Sequence, residues 1–174
     1  MDMAKLMAGS TAVEVRPGTI EDVPVLLSFI QAMAAFEKLP VSATEESLRE
    51  VLFGENPAAR TLLAFVGGRP IAYITYFFSF STMLGKRGLW LEDVFIDPDF
   101  RGQGIGKALM AYLANIAIEN QCGRFEWIVL DWNESAIHFY QSLGARVLPD
   151  WRICRLDEAQ LPDVASKVTI FKED

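Results

Sequence analysis

The chain has 174 residues, 51% of them hydrophobic with 12 Phe and 4 Trp, and a formal net charge of -7. That length predicts one domain with one sizeable core. The acidic balance, with no basic run, argues against nucleic acid or an anionic membrane as partner and suits a cationic small molecule, and no apolar run is long enough to cross a bilayer as a helix.

Residues 1–10 are mildly apolar but lack a basic stretch and a long apolar run, so they read as a flexible extension ahead of a single domain over 11–174 rather than as a signal peptide. Ala12 to Arg16 reads as a first strand closed by Pro17-Gly18. Thr19 and Asp22 offer helix-capping chemistry. Val23, Leu26, Leu27, Ile30, Met33 and Ala34 then keep a helical stripe to about Phe36, with Pro24 in the first turn. Ser42 followed by Glu45 predicts a capping box for a short second helix ending near Phe53-Gly54. Glu37, at the end of the first helix, reads on its own as a solvated helix-end acid.

Thr61 to Val66 and Arg69 to Phe80 read as two strands joined by Gly67-Gly68, a two-residue hairpin signal. Gly85 and Gly88 mark the return to a fourth strand, Leu89 to Ile96, which carries Glu92 and Asp93 inside a core-like run. Adjacent strand residues face opposite sides, so both acids reach one pocket only if a bulge intervenes. A carboxylate in such surroundings is expected to be desolvated, its pKa raised toward that of a base. The competing reading is a pair of acids at an exposed sheet edge.

Arg101-Gly102-Gln103-Gly104-Ile105-Gly106 follows that strand and precedes a helical stripe of Ile105, Leu109, Leu113 and Ile116. Alternate glycines at a strand-to-helix junction let N–H groups converge on an anion at the positive end of the helix, and a pyrophosphate is the natural guest. A plain tight turn is the competing reading. A Walker loop is excluded, because Lys107 is followed by Ala108. A dinucleotide fingerprint stays open but weaker, because Leu109 stands where a third glycine belongs. Phe125 to Leu130 reads as a fifth strand, parallel to the fourth across the helical connection. Asp131-Trp132-Asn133 then ends that strand and caps a helix from Glu134 to Leu143 with Gly144 after it. Arg146 to Leu148 and Trp151 to Leu156 read as further strands around a turn at Pro149-Asp150. The weakly patterned tail after Ala159 offers Val168-Thr169-Ile170-Phe171 as a packing segment. His138 is the only histidine, and Cys122 and Cys154 form no ligand spacing, so no metal site is expected and the cysteines read as reduced thiols of a cytoplasmic protein.

The Arg-Gly-x-Gly-x-Gly run after Leu91-Glu92-Asp93, extended by Trp132-Asn133-Glu134, Ile137, Phe139-Tyr140 and Gly144-Ala145, resembles the Gcn5-related N-acetyltransferase superfamily. Within it, the chain is most similar to the diamine acetyltransferase group, which acts on spermidine, spermine or thialysine. The resemblance runs from Val15 to Arg152. It implies an α/β (mixed α+β) acyl-CoA N-acyltransferase fold: a mostly antiparallel mixed sheet of about six to seven strands flanked by about four helices, the fourth and fifth strands splayed. It implies acetyl-CoA as co-substrate, a small cationic amine as acceptor, and a homodimer.

The resemblance also implies roles for residues. Arg101, Gly102, Gln103, Gly104, Ile105, Gly106 and Lys107 would hold the coenzyme phosphates, and Val94, Phe95, Ile96, Asn133 and Tyr140 the rest of the coenzyme. Phe36, Glu37, Glu92, Asp93, Asp131, Trp132, Asp150 and Trp151 would line the acceptor site, Phe36-Glu37 matching a Tyr-Glu pair of the diamine group without its phenolic hydroxyl. Tyr140, which on composition alone is a buried core residue, would reach the coenzyme sulfur. The polyamine enzymes carry a longer, glutamate-bearing loop where this chain has only Asp150, which favours a diamine or a lysine-like amino acid over a long polyamine. The implied chemistry is direct amine attack in a ternary complex, with Glu92 removing the ammonium proton, Asp93 in reserve, and Tyr140 as acid for the departing thiolate. Backbone N–H groups near Val94 to Ile96 would stabilise charge on the carbonyl oxygen. A peptide N-acetyltransferase and a non-catalytic acyl-CoA-binding module are the alternatives.

Overall fold

The computed structural model describes residues 3–169, in which the chain divides into two compact units, Met1–Leu130 and Asp131–Asp174. The first unit holds a six-stranded sheet whose strands lie side by side in chain order. They are β1 (Ala4–Ala8), β2 (Thr11–Pro17), β3 (Arg60–Val66), β4 (Arg69–Ser81), β5 (Lys86–Ile96) and β6 (Arg124–Glu126). Every neighbouring pair is antiparallel except β5 with β6, which is parallel, as a helical connection requires. The expected mixed, mostly antiparallel sheet is the one observed.

Three helices belong to this unit: α1 (Val23–Glu37), α2 (Glu45–Phe53) and α3 (Ile105–Glu119). Helix α1 lays Leu26 and Phe29 on Leu63, Tyr73 and Phe95 of β3, β4 and β5, forming a buried cluster. Its start is tied to the sheet by Arg16, whose guanidinium nitrogens donate to the two Asp22 oxygens at 2.6 and 2.8 Å. Those bonds hold the Asp22 carboxyl down at about 2. Helix α3 buries Ile105, Leu109, Met110, Leu113 and Ile116 and packs on β1, β5 and β6. The apolar stripe legible in the sequence is thus the stripe that is buried.

Several expectations change. Residues 4–8 are a strand paired with β2 from Ala4↔Val15 to Ala8↔Thr11, not a flexible extension. Gly9, at φ 60°, and Ser10 make its two-residue turn. Helix α2 is capped by Thr44, which accepts from Ser47 N at 3.2 Å while Thr44 N donates to Ser47 Oγ at 3.0 Å; the Ser42/Glu45 pairing falls two residues too early. Strand β6 stops at Glu126, where its ladder with β5 ends at Trp90, so residues 127–130 are not strand.

The second unit contains α4 (Glu134–Ser142) and α5 (Leu161–Ala165). Residues 146–156, expected as two strands, form none. Their alternation is strand-like, but a strand exists only with a backbone partner, and among the described residues of this unit nothing pairs with them. The weakly patterned tail instead forms a 3₁₀ turn at Glu158–Gln160 leading into α5. Of the packing segment suggested at 168–171, Ile170 and Phe171 lie outside the described residues. Among the described residues no helix is long and apolar enough to cross a membrane.

Candidate active site

A bulge organises the site. Thr75 pairs with Asp93, but the next residue, Tyr76, pairs with Leu91, so Glu92 is the extra residue on β5. Asp93 therefore shares the face of Thr75 and Tyr73. Glu92 accepts a hydrogen bond at 3.0 Å from Nε1 of Trp90, and Trp90 lies opposite Phe77 on that same face. The two acids, which regular alternation would separate, come to one side of the sheet.

Their environments differ. Glu92 is exposed, whereas Asp93 is largely buried, and its carboxyl is pushed up to about 6. Desolvation is the main cause; the charges of Glu92 and Glu37 add to it, and a hydrogen bond from Tyr73 opposes it. Glu37 ends α1, half-buried, and its own carboxyl is raised by desolvation. Glu37 from α1 and Glu92 from β5 thus both act on Asp93. Their repulsion of a charge on Asp93 is relieved by a cation or by a proton retained there, a property suited to an ammonium ligand.

The glycine loop follows β5 through a 3₁₀ turn at Pro98–Phe100. Gly102 and Gly104 have φ of 73° and 80°, and Gly104 is the N-cap of α3. A Cβ on Gly102 would meet nothing within 4 Å, so glycine serves the backbone angle there and leaves open space beside it. The first α3 hydrogen bond runs from Ala108 N to Gly104 O at 3.1 Å, leaving Ile105, Gly106 and Lys107 N–H groups without intrahelical acceptors. Gln103 closes the loop by donating from Nε2 to Asp99 O at 3.2 Å. Lys107 is exposed in the first turn of α3.

Arg101 is tied back: its Nε donates to Ile96 O at 3.0 Å, and its guanidinium lies 5.3 Å from the ring centroids of both Phe36 and Phe95. Its side chain is turned toward α1 and the end of β5. There a cavity of about 350 Å³ is lined by Ser28, Phe29, Ala32, Phe36, Phe95, Asp97, Pro98 and Arg101. Beside it, β6 accompanies β5 only from Gly88 to Trp90, so the strand from Glu92 through Val94, Phe95 and Ile96 runs on with no β6 partner. A strand edge, an anion cradle and an aromatic cavity in one unit fit a ligand with a pyrophosphate and an extended amide arm.

In the second unit, Asn133 caps α4 by accepting from Ala136 N at 3.2 Å. Tyr140 is half-buried on that helix, its ring 5.3 Å from that of Phe139. Asp131, Trp132, Asp150 and Trp151 are exposed there. Phe36, Glu37, Glu92, Asp93 and the glycine loop belong to the first unit.

Sequence reasoning missed three participants. Trp90 donates to Glu92, and Tyr73 stands diagonal to Asp93 across the ladder and eases its ionisation. The β1–β2 turn lies against the glycine loop, since a Cβ on Gly104 would stand 3.8 Å from the backbone of Ala8 and of Gly9. Gly9-Ser10 between two short apolar runs was a usable hairpin signal, and Trp90 and Glu92, two apart on one strand, share a face by ordinary alternation; the approach of Tyr73 to Asp93 depends on the bulge and had no such signal.

The acetyltransferase (GNAT) family profile matches residues 29–145. A thialysine N-epsilon-acetyltransferase of Sus scrofa is 36% identical over 155 residues, covering 82% of this chain and 91% of that protein. An L-ornithine N5-acetyltransferase of Arabidopsis thaliana is 30% identical, covering 82% of this chain and 83% of its own. Among solved structures, an integron cassette protein from the mobile metagenome of V. cholerae superimposes with a TM-score of 0.73 at 26% identity, covering 88% of this chain and 97% of that one.

Proposed function

The chain belongs to the acetyltransferase (GNAT) family, and we propose that it moves the acetyl group of acetyl-CoA onto a primary amine of a small cationic acceptor, a diamine or a lysine-like amino acid. The observation that carries this reading is the bulge at Glu92, which sets Glu92 on one sheet face with Asp93, itself within electrostatic reach of Glu37. A cluster of three acids favours a cation over a neutral acceptor. The relatives support it, since two of them are named for amino acids that carry a side-chain amine.

Bound acetyl-CoA supplies an activated acetyl thioester; the chain's residues supply the rest. The Ile105, Gly106 and Lys107 N–H groups and the Lys107 side chain hold the pyrophosphate at the start of α3, and the β5 edge orients the amide arm. Arg101 joins the phosphate contacts by leaving its rings. Glu92 and Glu37 hold the acceptor's ammonium.

Of the two β5 acids, Asp93 takes the proton, the role the sequence reading gives to Glu92. A carboxyl near 6 is the better base for an ammonium at neutral pH, and Glu92 is already exposed and engaged by Trp90. The freed amine nitrogen then bonds to the thioester carbon, the β5 N–H groups at Val94 to Ile96 face the carbonyl oxygen, and the carbon–sulfur bond breaks. Tyr140 gives its phenolic proton to the departing sulfur.

A thiol-release assay over short diamines, lysine, thialysine, ornithine, spermidine, spermine and peptide N-termini tests the reading. Turnover is expected with the short amines and amino acids. Turnover of peptides alone would replace the acceptor class, and coenzyme binding without turnover of any amine would make the chain a binding module.

A further inference from the structure

Tyr73 carries a hydroxyl into the core of the first unit. The residue is wholly buried on β4, its ring 6.0 Å from that of Phe29 and only 13° from parallel. Phenylalanine would fill the same space without burying a polar atom, so the hydroxyl needs a partner there. By distance that partner is Met33 Sδ on α1, to which it donates at 3.4 Å. A thioether is a weak acceptor.

The same hydroxyl opposes the rise of the Asp93 carboxyl. The ladder explains the meeting: Tyr73 pairs with Phe95 and Thr75 with Asp93, so the tyrosine and the acid are diagonal neighbours on one face. Burial, followed by Asp93 and the more distant Glu37 and Glu92, drives the ionisation of Tyr73 far above its ordinary range, so the phenol keeps its proton at every usable pH. One permanent donor therefore has two acceptors of unequal strength.

We propose that Tyr73 is a positioning residue for Asp93, a rotating hydroxyl that donates to Met33 Sδ while Asp93 is protonated and turns to the carboxylate once Asp93 ionises. Both acceptors already flank the ring, Met33 from α1 and Asp93 diagonally across the ladder, so the closely packed core need not rearrange. The inference rests on the reading of Asp93 as the proton acceptor. The groups acting on Asp93 are Glu37 from α1, Glu92 on its own strand and Tyr73 from β4, with uncharged Thr75 opposite. The two acids make ionisation harder, and Tyr73 makes it easier. A hydrogen bond to a charged acceptor is among the stronger neutral-donor contacts, and it would keep Asp93 from rising out of the range in which it can take a proton at neutral pH.

The experiment is a carbon-13 NMR titration of the Asp93 carboxyl, assigned by its loss in Asp93→Asn, in the ligand-free protein and in Tyr73→Phe. It is paired with the pH profile of kcat/KM on a short diamine. The Asp93 midpoint is expected to rise by about one pH unit in Tyr73→Phe, and the acidic limb of the profile to rise with it, with kcat recovering at high pH. A midpoint that does not move overturns the inference. A midpoint that moves while the acidic limb stays fixed upholds the Tyr73–Asp93 coupling and instead removes Asp93 as the base. Met33→Leu gives the opposite sign: with the competing acceptor gone, the midpoint falls. If Tyr73→Phe does not fold, an unmoved or raised midpoint in Met33→Leu overturns the inference.

Discussion

Glu92 and Asp93 are neighbours on one strand, yet their side chains share a face of the sheet, because Glu92 is the unpaired residue of a bulge between Thr75 and Tyr76. Bulges re-aim side chains at the cost of one ladder position. Here the result is two carboxyl groups of different character. One is exposed and hydrogen-bonded by an indole; the other is largely buried and raised. The division of labour proposed for them follows from that difference in solvent access.

That division predicts different kinetics for the two neutral variants. Asp93→Asn should lower kcat by roughly 10²-fold or more at pH 7 and recover part of it in alkali, where free amine is plentiful. Glu92→Gln should mainly raise the KM of the amine. Steady-state rates between pH 6 and 10 check both. The reverse pattern would hand the proton-accepting role to Glu92.

Asp93 should also be a liability to the fold. Its carboxyl rises from an ordinary 3.8 to about 6 on folding, so the native state holds its proton more tightly than the unfolded chain. Stability linked to that proton is fully present below about pH 4 and is lost as pH rises through about 6. Asp93→Asn should therefore be more stable than the parent at pH 8, by up to about 3 kcal/mol, with the difference shrinking toward pH 4. Urea denaturation at the two pH values reads it. A variant less stable at pH 8 would mean that the carboxylate is better satisfied than its burial indicates.

Gly104 stands at φ 80° with the β1–β2 turn behind it. A β-branched side chain at that angle costs more than about 1 kcal/mol, and it pushes the loop or the turn aside. Gly104→Val should fold and bind acetyl-CoA at least about tenfold more weakly, a difference of about 1.4 kcal/mol by calorimetric titration. Undiminished affinity would remove the loop from the coenzyme site.

Tyr140→Phe should lower kcat with saturating substrates while leaving the dissociation constant of the coenzyme nearly unchanged, because a proton donor to the departing sulfur acts only in the chemical step. Stopped-flow turnover and equilibrium binding separate the two. Unchanged kcat across the pH range would leave the hydroxyl as a packing group of α4.

Local chemistry determined much of this protein from its sequence. The apolar stripes of α1 and α3, the Gly67-Gly68 hairpin and the alternate glycines at a strand-to-helix junction all act over a few residues of chain, where backbone angles and side-chain period are read directly. The tertiary structure decided what depends on partners distant in sequence. A strand needs a neighbour, so residues 4–8 became β1 by pairing with 11–15, while the strand-like 146–156 found no partner among the described residues of its unit. The bulge arises where β5 carries one residue more than β4 between two pairs, a count that neither strand shows alone. The protonation of Asp93 was decided the same way, by its burial in the assembled unit and by the charges of Glu92 and Glu37. Solvent exclusion belongs to the assembled fold and not to any one segment of the chain.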